Sequence, residues 1–289
     1  MPEISEVKIM TDFINEVVHD RVFTKIEKSP ESKVKCDFDL DYNKFHIETE
    51  SRGKEIKMTI MPNDFMLHQE SDYLMLSMGM SGHWRFTKTG EELKHSHLKF
   101  YTDDGYTLSL VDVRRFAKWK WGDWNVKRGP DPVREHRAFV KNINDNIHKK
   151  IFDKPICELM LNQQYFNGIG NYLRAEILYR AGQNPFMSSR KAINDTILKL
   201  CKQIPEEAYT VGGGELKDWS NPYNIGYGRG RINKSMMKKK IHNFRDWLQC
   251  YQKMCCVVDG TKRKMWFDER WLSDEYINHE TKKLHSIQD

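Results

Sequence analysis

The sequence predicts an α+β fold: an N-terminal β-sandwich with edge helices, then a C-terminal helical domain that ends in a β-hairpin. Three observations carry that expectation. Residues 20–125 show short runs of alternating apolar residues separated by turn signals. Beyond residue 150 the apolar residues recur at helical spacing. Between the two, the string from Arg128 to Glu135 carries Pro130 and Pro132, which interrupt any regular element. The boundaries therefore read 1–127 for the first domain, 128–150 for a linker and 151–289 for the second domain.

Taken in order, an opening helix follows from Val7, Met10, Ile14 and Val17, spaced three, four and three apart. Strands follow from Phe45-Ile47-Thr49, from Ile56-Met58-Ile60, and from Leu98-Phe100 set against Leu108-Leu110, with Asp104-Gly105 as the hairpin turn. Helices are expected after Pro155 (Ile156, Leu159, Met160, Gln163), after Asn171 (Leu173, Ile177, Leu178), and from Ile193 through Ile197 and Leu200 up to Pro205. Strand-like residues return between Cys250 and Phe267, around Asp259-Gly260.

Composition narrows the class. The chain has 289 residues, 39% hydrophobic and 30% charged, which suits a soluble protein of two cored domains. No run approaches the roughly 20 apolar residues of a membrane span, and the first ten residues, with Glu3 and Glu6, do not read as a secretory signal. Six scattered cysteines without a disulfide framework suggest a reducing compartment. The net charge of +6 is unevenly placed: residues 1–150 hold 25 basic and 25 acidic side chains, residues 151–289 hold 22 and 16. Arg229, Arg231, Lys234, Lys238, Lys239 and Lys240 form a cationic run that reads either as a solvated segment or as a surface that tracks phosphates.

Two short segments carry chemistry. Met1-Pro2-Glu3 is an ordinary helix start, since proline has no N–H to waste there and an acid complements the helix dipole. It also has a second reading. If Met1 is removed, Pro2 becomes a terminal secondary amine beside a carboxylate, and a terminal amine, with a reference pKa of ~7.7–8.0, is partly uncharged at neutral pH. Such an amine condenses with an aldehyde carbon to an iminium ion. The turn Asn167-Gly168-Ile169-Gly170-Asn171 can be a plain interhelical turn, or a place where glycines admit positive φ and the next helix offers its free N–H groups to a phosphate.

These elements together resemble a known family. Met1-Pro2-Glu3 with Glu6, Ser51-Arg52-Gly53-Lys54, Met80-Ser81-Gly82, Asp112-Val113-Arg114-Arg115-Phe116, and Gln163 through Gly182-Gln183-Asn184-Pro185 occur in the order found in the Fpg/Nei DNA glycosylases. The resemblance implies a helix-two-turn-helix motif in the second domain, with DNA bound in the cleft between domains. It implies Pro2 as the nucleophile at the sugar C1′, Glu3 as general acid with Glu6 in support, and Lys54 and Asn171 as holders of the flanking phosphates. Gly168 and Gly170 support that turn. A base inside a duplex must be flipped out to be reached, and Met80, Arg114 and Phe116 match the side chains that fill the vacated stack; without the resemblance, Met80 and Phe116 read as core residues and Lys54 as a solvated strand lysine. No metal or external cofactor is required.

The tail separates branches. A four-cysteine zinc finger needs paired Cys-x-x-Cys spacings, whereas Cys255 and Cys256 are adjacent. A zinc site from Cys250, Cys255, Cys256 and His279 or His285 is the alternative. The segments from His242 to Tyr251 and from Lys262 to Phe267 instead resemble the endonuclease VIII-like branch with a zincless finger, known in giant-virus, plant and animal members, here at about residues 250–270, with Arg263 as its DNA-clamping arginine. Ile4-Ser5 stands where the family usually has Gly-Pro, and residues 212–240, facing the lesion, match poorly. The expected activity is base-excision repair of oxidised pyrimidines and of ring-opened or hydantoin purines in damaged double-stranded DNA, with single-stranded or bubble DNA as further candidates. It proceeds by an intracellular monomer with glycosylase and β,δ-eliminating AP lyase steps. The alternatives are a non-catalytic DNA-binding protein on this scaffold and a member preferring 8-oxoguanine.

Overall fold

In a computed structural model the described residues are 2–63, 70–214 and 243–271. The opening apolar stripe forms α1 (Ile4–Val18), which buries Val7, Met10, Ile14 and Val18 against the first hydrophobic core. Its first residue, Ile4, packs instead into the second core. The head of α1 therefore lies where the two cores meet.

Eight strands follow: β1 (Phe23–Lys28), β2 (Phe45–Arg52), β3 (Glu55–Pro62), β4 (Asp72–Ser77), β5 (His83–Lys88), β6 (Ser96–Thr102), β7 (Tyr106–Val111) and β8 (Lys118–Trp121). They form one antiparallel sequence of neighbours, β5-β7-β6-β1-β2-β3-β4-β8. Its two halves join between β1 and β2 at a single pair, Phe23 with Phe45, whose rings stack 5.7 Å apart. The halves fold over a shared interior into a β-sandwich. Trp84, Leu98, Phe100, Leu108 and Leu110 meet Ile47, Ile56, Met58, Ile60, Leu74 and Leu76 there. The alternation in the sequence sets the register: Leu98 faces Leu110 and Phe100 faces Leu108.

The second core gathers α2 (His136–Asn146), α3 (Ile156–Leu159), α4 (Asn171–Arg180), α5 (Ser189–Ala192) and α6 (Asp195–Thr210). Residues 160–170, between α3 and α4, are tight turns. The expected stop before Pro205 is not observed: α6 runs through it to Thr210. Pro205 is buried and its carbonyl accepts the Ser5 hydroxyl at 2.9 Å, so tertiary contacts offset the missing helix hydrogen bond. Within the stretch 128–150, α2 buries Phe139 and Ile143. The hairpin β9 (Cys255–Val258) and β10 (Lys264–Phe267) forms around Asp259-Gly260, and Met265 and Phe267 close onto the helical core.

Candidate active site

The site is assembled at the head of α4. Gly170 precedes that helix as its N-cap, and Glu3 crosses from the start of α1 to meet its open end. Glu3 Oε1 accepts from the Tyr172 backbone N–H at 3.0 Å, and Oε2 from that of Leu173 at 3.3 Å. These are N–H groups that the helix itself leaves unsatisfied, so a carboxylate is the fitting partner. Glu6, fully buried, ties the same place together. Its Oε2 accepts from the Glu3 N–H at 2.7 Å, and its Oε1 accepts from the Tyr172 hydroxyl at 2.9 Å and the Gly214 N–H at 2.8 Å.

Lys54 reaches this point from the turn between β2 and β3, where Gly53 has φ +58°. A side chain at Gly170 would overlap both the Glu3 carboxyl and the Lys54 ammonium, so glycine is what lets acid, amine and helix head approach one another. Pro2, next to Glu3 in the chain, is buried. Gly168, at φ +95°, lies against Ile4 and Gly53, and its carbonyl accepts the Ile4 N–H at 3.1 Å. With Ile4-Ser5 in place of Gly-Pro, Glu3 is thus still seated on α4.

The electrostatics push the two ionisable groups toward neutrality. Burial raises the Glu3 carboxyl above its ordinary value, with Glu6 adding to the rise and Lys54 opposing it. Burial lowers the half-buried Lys54 ammonium; Glu3 opposes that, while Arg263 and Arg128 reinforce it. Arg263 is exposed at the hairpin turn. Asn171 Nδ2 donates to the Lys264 carbonyl of that hairpin at 3.0 Å.

Met80, Arg114 and Phe116 form a second group on the loops after β4 and β7. Phe116 is 47% exposed, and the Arg114 guanidinium lies 4.9 Å from its ring centre. Phe116 is therefore not a core residue. Asp112 organises both loops: its buried carboxylate accepts from Ser81 Oγ at 2.6 Å and from the N–H groups of Arg114, Phe116 and Ala117 at 3.2, 2.6 and 2.7 Å.

The sequence marks Asp112 only as part of a motif and Asp259 only as a turn residue, and it gives no sign of a role for Asp131 or Arg174. Asp131 Oδ2 accepts from the Gly53 N–H at 2.8 Å while Oδ1 accepts from Val133 and Arg134, so the stretch read as a linker grips the turn that carries Lys54. In a Gly-Pro-Asp-Pro string that aspartate looks like turn chemistry alone. Among the described residues no cluster of His, Cys, Asp or Glu could hold a metal, and Cys255 Sγ donates to the Phe267 carbonyl at 3.0 Å. His279, His285, the cationic run and, from residue 215 onward, the segment expected to face the lesion lie outside the described residues.

Residues 1–119 match the family model of the formamidopyrimidine-DNA glycosylase N-terminal domain. Endonuclease 8-like 1 of Homo sapiens is 34% identical over 298 residues, covering 92% of this chain and 72% of that protein. Among solved structures, the MutM (Fpg) protein of Thermus thermophilus has a TM-score of 0.72 at 20% identity, over 93% of this chain and 98% of that one. Wild-type Lactococcus lactis Fpg, in complex with DNA containing an oxidised pyrimidine, has a TM-score of 0.71 at 19% identity, over 94% and 100%. At those identities the likeness is one of fold.

Proposed function

The chain belongs to the Fpg/Nei family of DNA glycosylases, in its endonuclease VIII-like branch, and we propose that Pro2, Glu3 and Lys54 carry its chemistry. It is a base-excision-repair enzyme, a bifunctional DNA glycosylase and AP lyase, and so acts on DNA inside the cell. With Met1 removed, the Pro2 nitrogen attacks C1′ of the damaged nucleotide. The glycosidic bond breaks, its electron pair leaves with the base, and the base takes up a proton. Glu3 gives a proton to the ring oxygen as the sugar opens to an iminium ion at C1′. The iminium acidifies C2′; loss of a proton there expels the 3′ phosphate, a second elimination expels the 5′ phosphate, and water releases the sugar remnant from Pro2.

The observation that carries this reading is the meeting of Glu3 and Lys54 over Gly170. A general acid works best when its pKa lies close to the working pH, and burial moves Glu3 in that direction. Lys54, Asn171 and Arg263 hold the phosphates that flank the lesion, while Met80, Arg114 and Phe116 fill the gap left by the flipped nucleotide, a wedging device that costs a few kcal/mol of unstacking. We take the domains as 1–127 and 151–289 joined by the linker 128–150, whose α2 packs into the second core, with a zincless finger at about 250–270. Branch membership favours oxidised pyrimidines and ring-opened or hydantoin purines in damaged duplex, single-stranded or bubble DNA, with the monomer as the acting unit.

The test is borohydride trapping on duplexes containing an abasic site or thymine glycol. A covalent adduct on both, abolished when the N-terminus is extended, is the expected result. Salt-dependent binding without an adduct on either duplex would leave only a DNA-binding scaffold.

A further inference from the structure

We propose that the buried Arg174–Asp259 pair is the positioning element that sets Asn171 and Arg263 at one fixed spacing for the DNA backbone. This rests on the phosphate-holding reading of those two residues given above. A two-stranded hairpin is marginally stable by itself, so its placement depends on what anchors it. Here α4 supplies the anchors. Its Glu176, fully buried, accepts from three successive N–H groups, those of Gln249, Cys250 and Tyr251, and so fixes the chain leading into the hairpin. Arg174, also fully buried, fixes the far end.

The Arg174 guanidinium reaches Asn171 directly and Arg263 by way of Asp259. Nη2 donates to Asn171 Oδ1 at 2.8 Å and to the Lys264 carbonyl at 3.3 Å; Nη1 donates to the Cys157 carbonyl at 2.8 Å and to Asp259 Oδ2. Asn171 is thereby oriented, its Oδ1 on Arg174 and its Nδ2 on Lys264. Asp259 continues the chain of contacts. Its Oδ1 accepts from the Thr261 N–H at 2.8 Å and the Arg263 N–H at 3.3 Å, and its own N–H donates to the Arg263 carbonyl at 3.0 Å. Burial pushes the Asp259 carboxyl up, but Thr261 and Arg174 outweigh it and hold the group below the usual carboxylate range.

Stability alone does not account for this pair. Replacing a buried ion pair by apolar residues is often neutral or stabilising, because desolvation cancels the attraction. Among its hydrogen bonds, one from each member of the pair goes to a residue assigned to the DNA backbone, Arg174 to Asn171 Oδ1 and the Arg263 N–H to Asp259. That is the pattern of a spacer.

Binding to a duplex with a tetrahydrofuran abasic analogue, titrated at several salt concentrations, tests the proposal on the full-length protein. Asp259→Asn and Arg174→Lys should each weaken binding about tenfold and reduce the salt slope by about one. Adding Arg263→Ala to Asp259→Asn should cost little more than Arg263→Ala alone, since both act through the same contact. Arg174→Lys keeps a cation beside Asp259 and decides the matter if Asp259→Asn does not fold. Variants that melt earlier yet bind with wild-type affinity and slope, or losses that simply add, would overturn the spacer role. If Arg263→Ala and Asn171→Ala themselves leave affinity and slope unchanged, the phosphate-holding reading fails and the spacer with it.

Discussion

Glu3 and Tyr172 stand 169 positions apart, yet the Glu3 carboxylate caps the helix in whose first turn Tyr172 lies, accepting its backbone N–H at 3.0 Å. The same carboxylate lies against Gly170, facing Lys54. One side chain from the head of α1 therefore completes α4 and is also the proposed acid of the site.

Glu3→Gln keeps the shape and removes the proton. Base removal should fall about 10²–10⁴-fold, measured as single-turnover release of thymine glycol. Stability should move the other way with pH. Because folding raises the Glu3 pKa above its ordinary value of 4.5, the contribution of this carboxyl is fully present below that value and lost as pH rises through the folded one. Melting temperatures of variant and wild type should therefore shift in the variant's favour as pH is raised. A difference that stays constant with pH would contradict the raised pKa.

Gly170→Ala is expected to fold, because its φ of −135° is open to alanine. The added methyl would separate Glu3 from Lys54, and trapping on abasic DNA should drop by about 10²-fold, the cost of a misplacement near 1 Å. Wild-type trapping by a folded variant would show that their contact is dispensable.

Asp112→Asn replaces one acceptor oxygen by an NH₂ group facing N–H donors. It should cost about 1–3 kcal/mol of stability, read from denaturant melts. It should also slow the reaction on duplex DNA while sparing a single-stranded abasic substrate, where no gap needs filling. Equal losses on both substrates would argue against the gap-filling role of the two loops it holds.

Asp131→Asn should loosen the turn of Gly53 and Lys54. A loss of about 1–3 kcal/mol is expected, together with slower trapping at saturating DNA, because Lys54 is displaced while Asn171 and Arg263 keep their places. A stability loss with an unchanged trapping rate would confine Asp131 to the fold.

Much of the architecture is legible in the amino-acid sequence. Alternation in Leu98-Phe100 and Leu108-Leu110 specified both the strands and their register, since a slip of one residue would turn every apolar side chain outward. The stripe Val7, Met10, Ile14 specified α1, and Asp259-Gly260 the last hairpin. The resemblance to glycosylases singled out Glu3, Lys54 and Gly170, which the tertiary structure brings into contact. Local signals of this kind act over a few residues, through side-chain period and turn geometry. What only the tertiary structure decided are the polar attachments: Asp131 to the Gly53 turn, Asp112 to two loops, Arg174 to Asp259, and α6 running on through Pro205. Each depends on which buried donors and acceptors face one another once the two cores have closed, and no periodicity along the chain records that meeting.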